Sequence, residues 1–506
     1  MTNTLFHGLT KTGLQDPARR FATLTDGRTF TYGDLDTRTA QFAHVLVSLG
    51  VEPGDRVAVQ ADKSIEALFL YLATVRAGGV FLPLNTGYTP SEIDYFLNDA
   101  SPRVFVSSPK ARDAMAPIAA RAGARLETLG VQRKGEAPAG TIAQMSEGAP
   151  ATFETVSRSP GDLAAILYTS GTTGRSKGAM LSHENLLSNA DVLEETWGFT
   201  KDDVLLHALP IFHTHGLFVA TNTILVAGGS LIFLEKFDLD TVFAHLGDAT
   251  TMMGVPTFYT RMLDDARLSP ESAGHMRLFT SGSAPLLAET HRAFERRTGQ
   301  RILERYGMTE TNMSTSNPYE GERRAGTVGF PLKGTELRIT DERGEPLPQG
   351  EIGAIEVKGP NVFSGYWKMP EKTKSEFRSD GFFVTGDLGV IDADGYLSIV
   401  GRDKDLVISG GYNVYPKEIE LAIDAIEGVV ESAVIGVAHP DFGEGVVGVV
   451  VADKALSEED VIAPLKTSLA KYKQPKRIVF VDEIPRNTMG KVQKNVLRES
   501  YSGLFK

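Results

Sequence analysis

Apolar runs of strand length alternate with segments of helical periodicity along most of this chain, and that alternation restricts it to architectures in which helices cover largely buried sheets. "RVAVQ" (56–60) precedes "SIEALFLYLATVRAG" (64–78), and "RVFVSS" (103–108), "SLIFL" (230–234) and "MRLFTSG" (276–282) repeat the strand pattern further along. The expected fold class is α/β. At 506 residues the chain exceeds what one hydrophobic core can serve, so several core units are expected.

From about Lys333 the texture shifts to short strands separated by Gly, Pro and Asp turns, as in "DERGEPLPQGEIGAIEVKG". This predicts a β-rich part within a large N-terminal domain. A boundary is expected at Gly401-Arg402, where a strand ends, a charged tetrad follows, and Gly410-Gly411 precede a helix opening on Pro416. The domains are therefore drawn at 1–401 and 402–506, the second a small α+β domain. Within it Ser457 is the expected N-cap of a helix that Pro464 should kink or delay.

Charge narrows the partners. A net charge of −12 argues against nucleic acid and against a polybasic membrane anchor, both of which need clustered cations. The absence of cysteine excludes disulfides, thiolate metal sites and cysteine nucleophiles. "MTNTLFHGLTKTG" lacks a basic segment followed by a sustained apolar one, and no stretch reaches the roughly 18 apolar residues of a membrane span. The chain is accordingly read as soluble, without a membrane partner, and cytoplasmic.

"YTSGTTGRSKG" (168–178) packs three Gly, five Ser or Thr hydroxyls and two cations behind the apolar run "LAAIL". Glycines permit close backbone approach, hydroxyls bind phosphate oxygens and Lys177 adds charge, so the loop is suited to phosphate. It departs from G-x-x-x-x-G-K-[ST]. Because "GAML" (178–181) reads as a second strand before a helix starting near Ser182, the loop should join two extended segments rather than a strand and a helix.

Four further stretches follow in order: "ERYGMTE" (304–310), read as one loop bearing an aromatic, a hydroxyl and a carboxylate; "TGD" (385–387); "GRDKD" (401–405); and "PRNTMGK" (485–491). Together with the Gly/Ser/Thr loop they resemble, across essentially the whole chain, the signature motifs of the acyl- and aryl-CoA synthetase, adenylation-domain and luciferase (ANL) superfamily. The resemblance implies a two-step ligase in which ATP adenylates a carboxylate, pyrophosphate leaves, and the thiol of CoA displaces AMP. Charge develops on phosphate oxygens in the first step, so cations and Mg²⁺ are needed there.

Carried over by resemblance, Thr169, Ser170, Gly171, Thr172, Thr173 and Gly174, with Lys177, would cradle the β,γ-phosphates. Glu310 and Thr169 would serve Mg²⁺, and Thr309 the α-phosphate. Gly282, Ser283 and the backbone of Glu304, Arg305 and Tyr306 would border adenine. Asp387 and Arg402 would hold the ribose, and Lys491 would bridge carboxylate and α-phosphate. Lys404 occupies the hinge position about which the C-terminal domain turns between steps, and Gly410, Gly411 and Tyr412 would line the CoA passage. A lysine acyltransferase or deacylase acting on Lys491 would be a further partner, because acylation deletes its charge.

"LPIFHTHG" (209–216) presents His213 and His215; an H-x-H pair can ligate metal, but with no third ligand of matching spacing nearby His213 is read as lining the acyl pocket. In "GVPTFYTR" (254–261) Pro256 suits the first turn of a helix, which puts Thr257 and Arg261 on one face. Alone, Arg261 could equally pair with Asp264 or Asp265. "PIFHTHGL", "GVPTFYTR", "LFTSGSAPL", "ERYGMTETNMSTSNPY" and "PRNTMGKVQKNVLRE" resemble the malonyl-CoA synthetases within the superfamily. That implies malonate as substrate, Arg261 as counter-charge to its spectator carboxylate, and His213 and Ser283 as lesser contacts. Two alternatives stay open: a synthetase for methylmalonate or another short-chain acid, and a carrier-loading or non-catalytic adenylation module.

Overall fold

The computed structural model describes residues 3–169, 176–409, 412–487 and 490–505, the side chains of 412, 413, 467 and 468 excepted. The chain forms two compact units, Met1–Glu336 with Lys358–Phe377, and Leu337–Val357 with Arg378–Lys506.

The first unit holds two sheets. One has six strands in the order Arg125–Thr128, Val104–Ser107, Arg56–Gln60, Val80–Pro83, Leu163–Thr169 and Lys177–Ser182, parallel except for the last pair. The other has nine strands; Leu278–Ser281, Thr251–Gly254, Val204–His207 and Ser230–Phe233 form its parallel centre, and Ile302–Met308 and Asn312–Ser316 form a hairpin towards one end. Parallel strands buried on both faces need apolar residues at every position rather than at alternate ones. The fully buried run Val104–Ser107 meets that requirement. The helix Ile65–Arg76 starts where the Ser64 side chain accepts from the Ala67 N–H, and all its residues are buried. The helix His183–Thr196 starts next to Ser182, as the sequence predicts, with a capping box of Ser182 and Asn185.

The second unit contains a four-stranded sheet, Glu336–Thr340, Gly353–Lys358, Phe383–Ile391 and Leu397–Arg402, the expected β-rich part. Beside it in sequence is a five-stranded sheet built on the long hairpin Val429–His439 and Gly443–Ala452. Its core gathers Val434, Val446 and Val450 with Ile419 and Ile423 of the helix Pro416–Asp424 and Val461 and Leu465 of the helix Glu458–Ser468. Ser457 caps that last helix as expected, with Asp460 completing a capping box, but Pro464 does not delay its start: the helix runs from Glu458 with Pro464 inside it. Among the described residues no helix is long and apolar enough to cross a membrane.

Candidate active site

Leu163–Thr169 and Lys177–Ser182 pair antiparallel, with Tyr168 opposite Gly178 and Thr169 opposite Lys177. The phosphate loop therefore joins two strands, as expected, and Ser170, Gly171, Thr172, Thr173 and Gly174, which the resemblance gives to the phosphates, lie outside the described residues. At its exit the Tyr95 hydroxyl donates to the Ser176 carbonyl at 2.8 Å. Lys177 Nζ lies 3.2 Å from Glu376 Oε1 and 4.2 Å from the centre of the Tyr366 ring.

Tyr366 joins this cation to Glu310. Its hydroxyl lies 3.0 Å from Glu310 Oε1 and 2.6 Å from Glu376 Oε2. The hydroxyl is the donor towards both carboxyls, which share its one proton. Burial pushes the Glu310 carboxyl up, against the hydrogen bond from Tyr366 and the nearby Lys177 charge. Burial raises Glu376 too, but hydrogen bonds from Lys372, Tyr366 and Lys177 outweigh it and leave that carboxylate below its ordinary value. Tyr366, Glu376 and Tyr95 are absent from the sequence reading; Tyr366 precedes the short helix Pro370–Glu376, on whose last residue Glu376 stands, and nothing local marks either as a neighbour of Glu310.

The reading of "ERYGMTE" as a loop needs correction. Glu304 to Met308 belong to the strand Ile302–Met308, and only Thr309 and Glu310 lie in the turn before Asn312–Ser316. The tight hairpin requires Gly307, where a Cβ would stand 1.8 Å from the Asn312 carbonyl oxygen. Thr309 is half-buried and Glu310 buried, so the hairpin holds the carboxylate by its backbone.

The strand Leu278–Ser281 runs parallel to Ile302–Met308, with Ser281 opposite Glu304. This brings Gly282 beside Arg305, whose guanidinium lies so near that a Cβ on Gly282 would stand 2.1 Å from its Nη1. The Arg305 side chain is buried, and neither Nε nor Nη2 has a hydrogen-bond partner among the described residues. Burial draws it down to about 9, so it is a cation at neutral pH. Ser283 follows in the left-handed region at φ 69°, and its hydroxyl lies 3.2 Å from His215 Nδ1. The His215 backbone N–H donates to His213 Nδ1 at 3.2 Å. His215 itself is 1% exposed with no partner at Nε2. Burial first, and then the Arg305 charge, hold its imidazole well below the usual histidine range. Glu304 is buried and accepts from the Gly326 N–H at 3.1 Å, while Tyr306 is half-buried.

Arg261 lies on the helix Pro256–Leu263, which Pro256 opens as predicted. It is exposed, and of the two acids suggested as surface partners one, Asp265, pairs with Arg267 at 2.6 Å.

In the second unit Asp387 and Arg402 face each other across the pair Phe383–Ile391 and Leu397–Arg402, with Arg402 Nε 3.2 Å from Asp387 Oδ1. Lys491 closes a tight turn in which its N–H donates to Asn487 Oδ1 at 3.0 Å. Burial, then repulsion from Arg402, lowers its ammonium to about 8, with Asp387 opposing. The structure thus gathers Asp387, Arg402 and Lys491, which stand far apart in sequence. Lys404 lies in the helical turn Asp403–Asp405. Gly410 and Gly411 fall outside the described residues, and of Tyr412 only the backbone, which pairs with Ser409, is described.

Comparison with known proteins shows the family. The AMP-binding enzyme family matches residues 9–367 and the AMP-binding enzyme C-terminal domain matches residues 418–491. The chain is 34% identical to the malonate–CoA ligase of Arabidopsis thaliana, over 95% of this chain and 86% of that one. It is 36% identical to a feruloyl-CoA synthase of Amycolatopsis over 94% of each. Among solved structures, ATP-bound MatB from Rhodopseudomonas palustris is 60% identical, with a TM-score of 0.97 and full coverage of both chains. By these matches and by its own site residues, the chain belongs to the AMP-binding enzyme family.

Proposed function

We propose that this chain is a malonyl-CoA synthetase, ligating malonate to CoA through a malonyl-AMP intermediate with release of pyrophosphate and AMP. The observation that carries the reading is the buried Arg305 guanidinium, with Nε and Nη2 unpartnered, beside His215 and Ser283. A buried cation without a partner is costly unless a ligand supplies the anion. Malonate has a second carboxylate to offer once the first is activated. Arg305 is the better counter-charge on geometry, because Arg261 is exposed on its helix. The likeness to a malonate–CoA ligase over nearly the whole chain supports the same substrate.

Thr169, Lys177 and Thr309 would meet the phosphates of ATP, and Asp387 and Arg402 the ribose. Lys491 would neutralise charge between the carboxylate and the α-phosphate, and Lys404 would be the hinge that later admits CoA past Gly410, Gly411 and Tyr412. Mg²⁺ is held in such sites by one or two carboxylates together with substrate phosphates. Glu310 fits, since its buried carboxylate accepts from the Tyr366 hydroxyl and, among the described residues, touches no cation directly. When bound, Mg²⁺ offsets phosphate charge. Purified protein supplied with ATP, Mg²⁺ and CoA should form thioester from malonate well ahead of methylmalonate, propionate and acetate. Equal turnover of propionate would overturn the malonate reading, and pyrophosphate release without any thioester would indicate a carrier-loading module.

A further inference from the structure

The acyl-site histidines are held from behind by a lysine that none of the motifs contains. Lys63 sits in the link between the strand Arg56–Gln60 and the helix Ile65–Arg76. Its Nζ lies 3.0 Å from His207 Nδ1, donates to the His207 carbonyl at 2.8 Å, and stands 4.4 Å from the Phe233 ring centre. Because Nδ1 accepts, His207 carries its proton on Nε2, which donates to the Gly216 carbonyl at 2.8 Å. Thr221 Oγ1 donates to the same carbonyl at 2.9 Å.

Gly216 is the second residue of a π-helical turn, His215–Thr221. Such turns leave carbonyls out of the ordinary i to i−4 ladder and need outside donors. Gly216 is also pressed on the preceding backbone, since a Cβ there would stand 2.1 Å from the Pro210 carbonyl oxygen. With its carbonyl doubly bonded and its α-carbon packed, Gly216 has no freedom to rotate, and its neighbour His215 inherits that restraint. Contacts in series run from Lys63 through His207 and Gly216 to His215, whose imidazole meets Ser283.

We propose that Lys63 and His207 are positioning residues that fix the π-helical turn and so set the His215 imidazole against the acid substrate. Neither touches the reacting atoms. The inference rests on the acyl pocket assigned above, and it concerns binding of the acid alone: among the described residues the contacts run from Lys63 to Ser283.

The test separates acid binding from nucleotide binding. Lys63→Met keeps the buried stem and removes the donors. It should raise KM for the acid by about tenfold, the loss of roughly one well-made buried hydrogen bond, with KM for ATP changed less than about twofold. Lys63→Arg, which keeps a cationic donor, should recover most of the loss, and His207→Gln, which offers an acceptor and a donor, should lie between. A merely structural role would lower the melting temperature and raise both KM values together, or cut kcat with neither KM moved; either result overturns the proposal, as does an unchanged acid KM. Should Lys63→Met fail to fold, Lys63→Arg and His207→Gln are decided by the same ratio of acid to ATP KM. The acid used is the one wild type turns over fastest, so loss of the malonate assignment leaves the test intact.

Discussion

Glu376 holds Lys177 at 3.2 Å although 199 residues separate them in sequence. The phosphate-loop lysine is thus satisfied by a carboxylate before any triphosphate arrives. Nucleotide binding has to exchange one anion for another at that ammonium.

Neutralising the resident anion should therefore favour the incoming one. Glu376→Gln keeps the shape and removes both the competition for Lys177 and the repulsion of phosphate. A partly exposed ion pair is worth about 0.2–1 kcal/mol, so ATP should bind roughly two- to fivefold tighter by calorimetry without acid present. Weaker ATP binding in Glu376→Gln would mean that Glu376 orients Lys177 for catalysis instead.

Glu310 is expected to serve the metal rather than the fold. Glu310→Gln preserves a partner for the Tyr366 hydroxyl, so stability should change little while the Mg²⁺ concentration for half-maximal adenylation rises by about tenfold or more. An unmoved Mg²⁺ titration would remove Glu310 from the metal site.

Lys491 supplies a pH signature. Its proton affinity is lowered to about 8 by burial and by Arg402, so its charge is present below pH 8 and lost as pH rises through that value. Adenylation should fall on the alkaline side near pH 8 rather than near the usual lysine value of about 10.4, whereas thioester formation from supplied malonyl-AMP should keep its rate there. Lys491→Ala should abolish the first half-reaction by several orders of magnitude and spare the second. Equal losses in the two half-reactions would contradict the role.

Selectivity should follow Arg305. Arg305→Met retains bulk against Gly282 and leaves the spectator carboxylate unpaired, which costs on the order of 2–5 kcal/mol. The ratio of malonate to propionate kcat/KM should drop by about 30-fold or more, and Arg261→Ala should leave it within about threefold. The reverse outcome would make Arg261 the selector.

Acid should unfold this protein through neutral buried histidines. His183 is fully buried, accepts from the Leu5 N–H at 3.2 Å, and is lowered to about 4 by burial, with Arg158 adding to the effect. The unfolded chain takes up that proton near pH 6.5 and the folded one does not until about pH 4. The associated stability is present above pH 6.5 and lost as pH falls, up to ~3 kcal/mol for this group. His183→Asn, which keeps an acceptor for Leu5, should flatten the fall in melting temperature between pH 6.5 and 4; an unchanged slope would place the acid sensitivity elsewhere.

Strands such as "RVAVQ" and the phosphate hairpin were legible because their signal is local: apolar runs bounded by turn residues. The cap at Ser457 and the helix start near Ser182 were legible for the same reason. The error over "ERYGMTE" came from polar residues that normally mark loops but here stand in a strand buried beside a parallel neighbour, where tertiary pairing overrides propensity. Arg305 was named only for its backbone, since nothing in one sequence says that the strand register sets its side chain over Gly282. Lys63 with His207 and Tyr366 with Glu376 were invisible for a related reason. Each pair or its target is joined by folding across a long sequence interval, and a lone lysine after a strand looks like any solvated cation.

The chain passes from the first unit to the second at Glu336, back at Val357, and out again at Phe377. A single cut at the last crossing would sever it into residues 1–377 and 378–506. The two pieces would still share a sheet, because the strand Gly353–Lys358 of one pairs with Phe383–Ile391 of the other in the register Gly353 to Gly389 and Val357 to Phe383. A nicked molecule would therefore travel as one body under native conditions and part only in denaturant, with its backbone broken and its β-ladder intact.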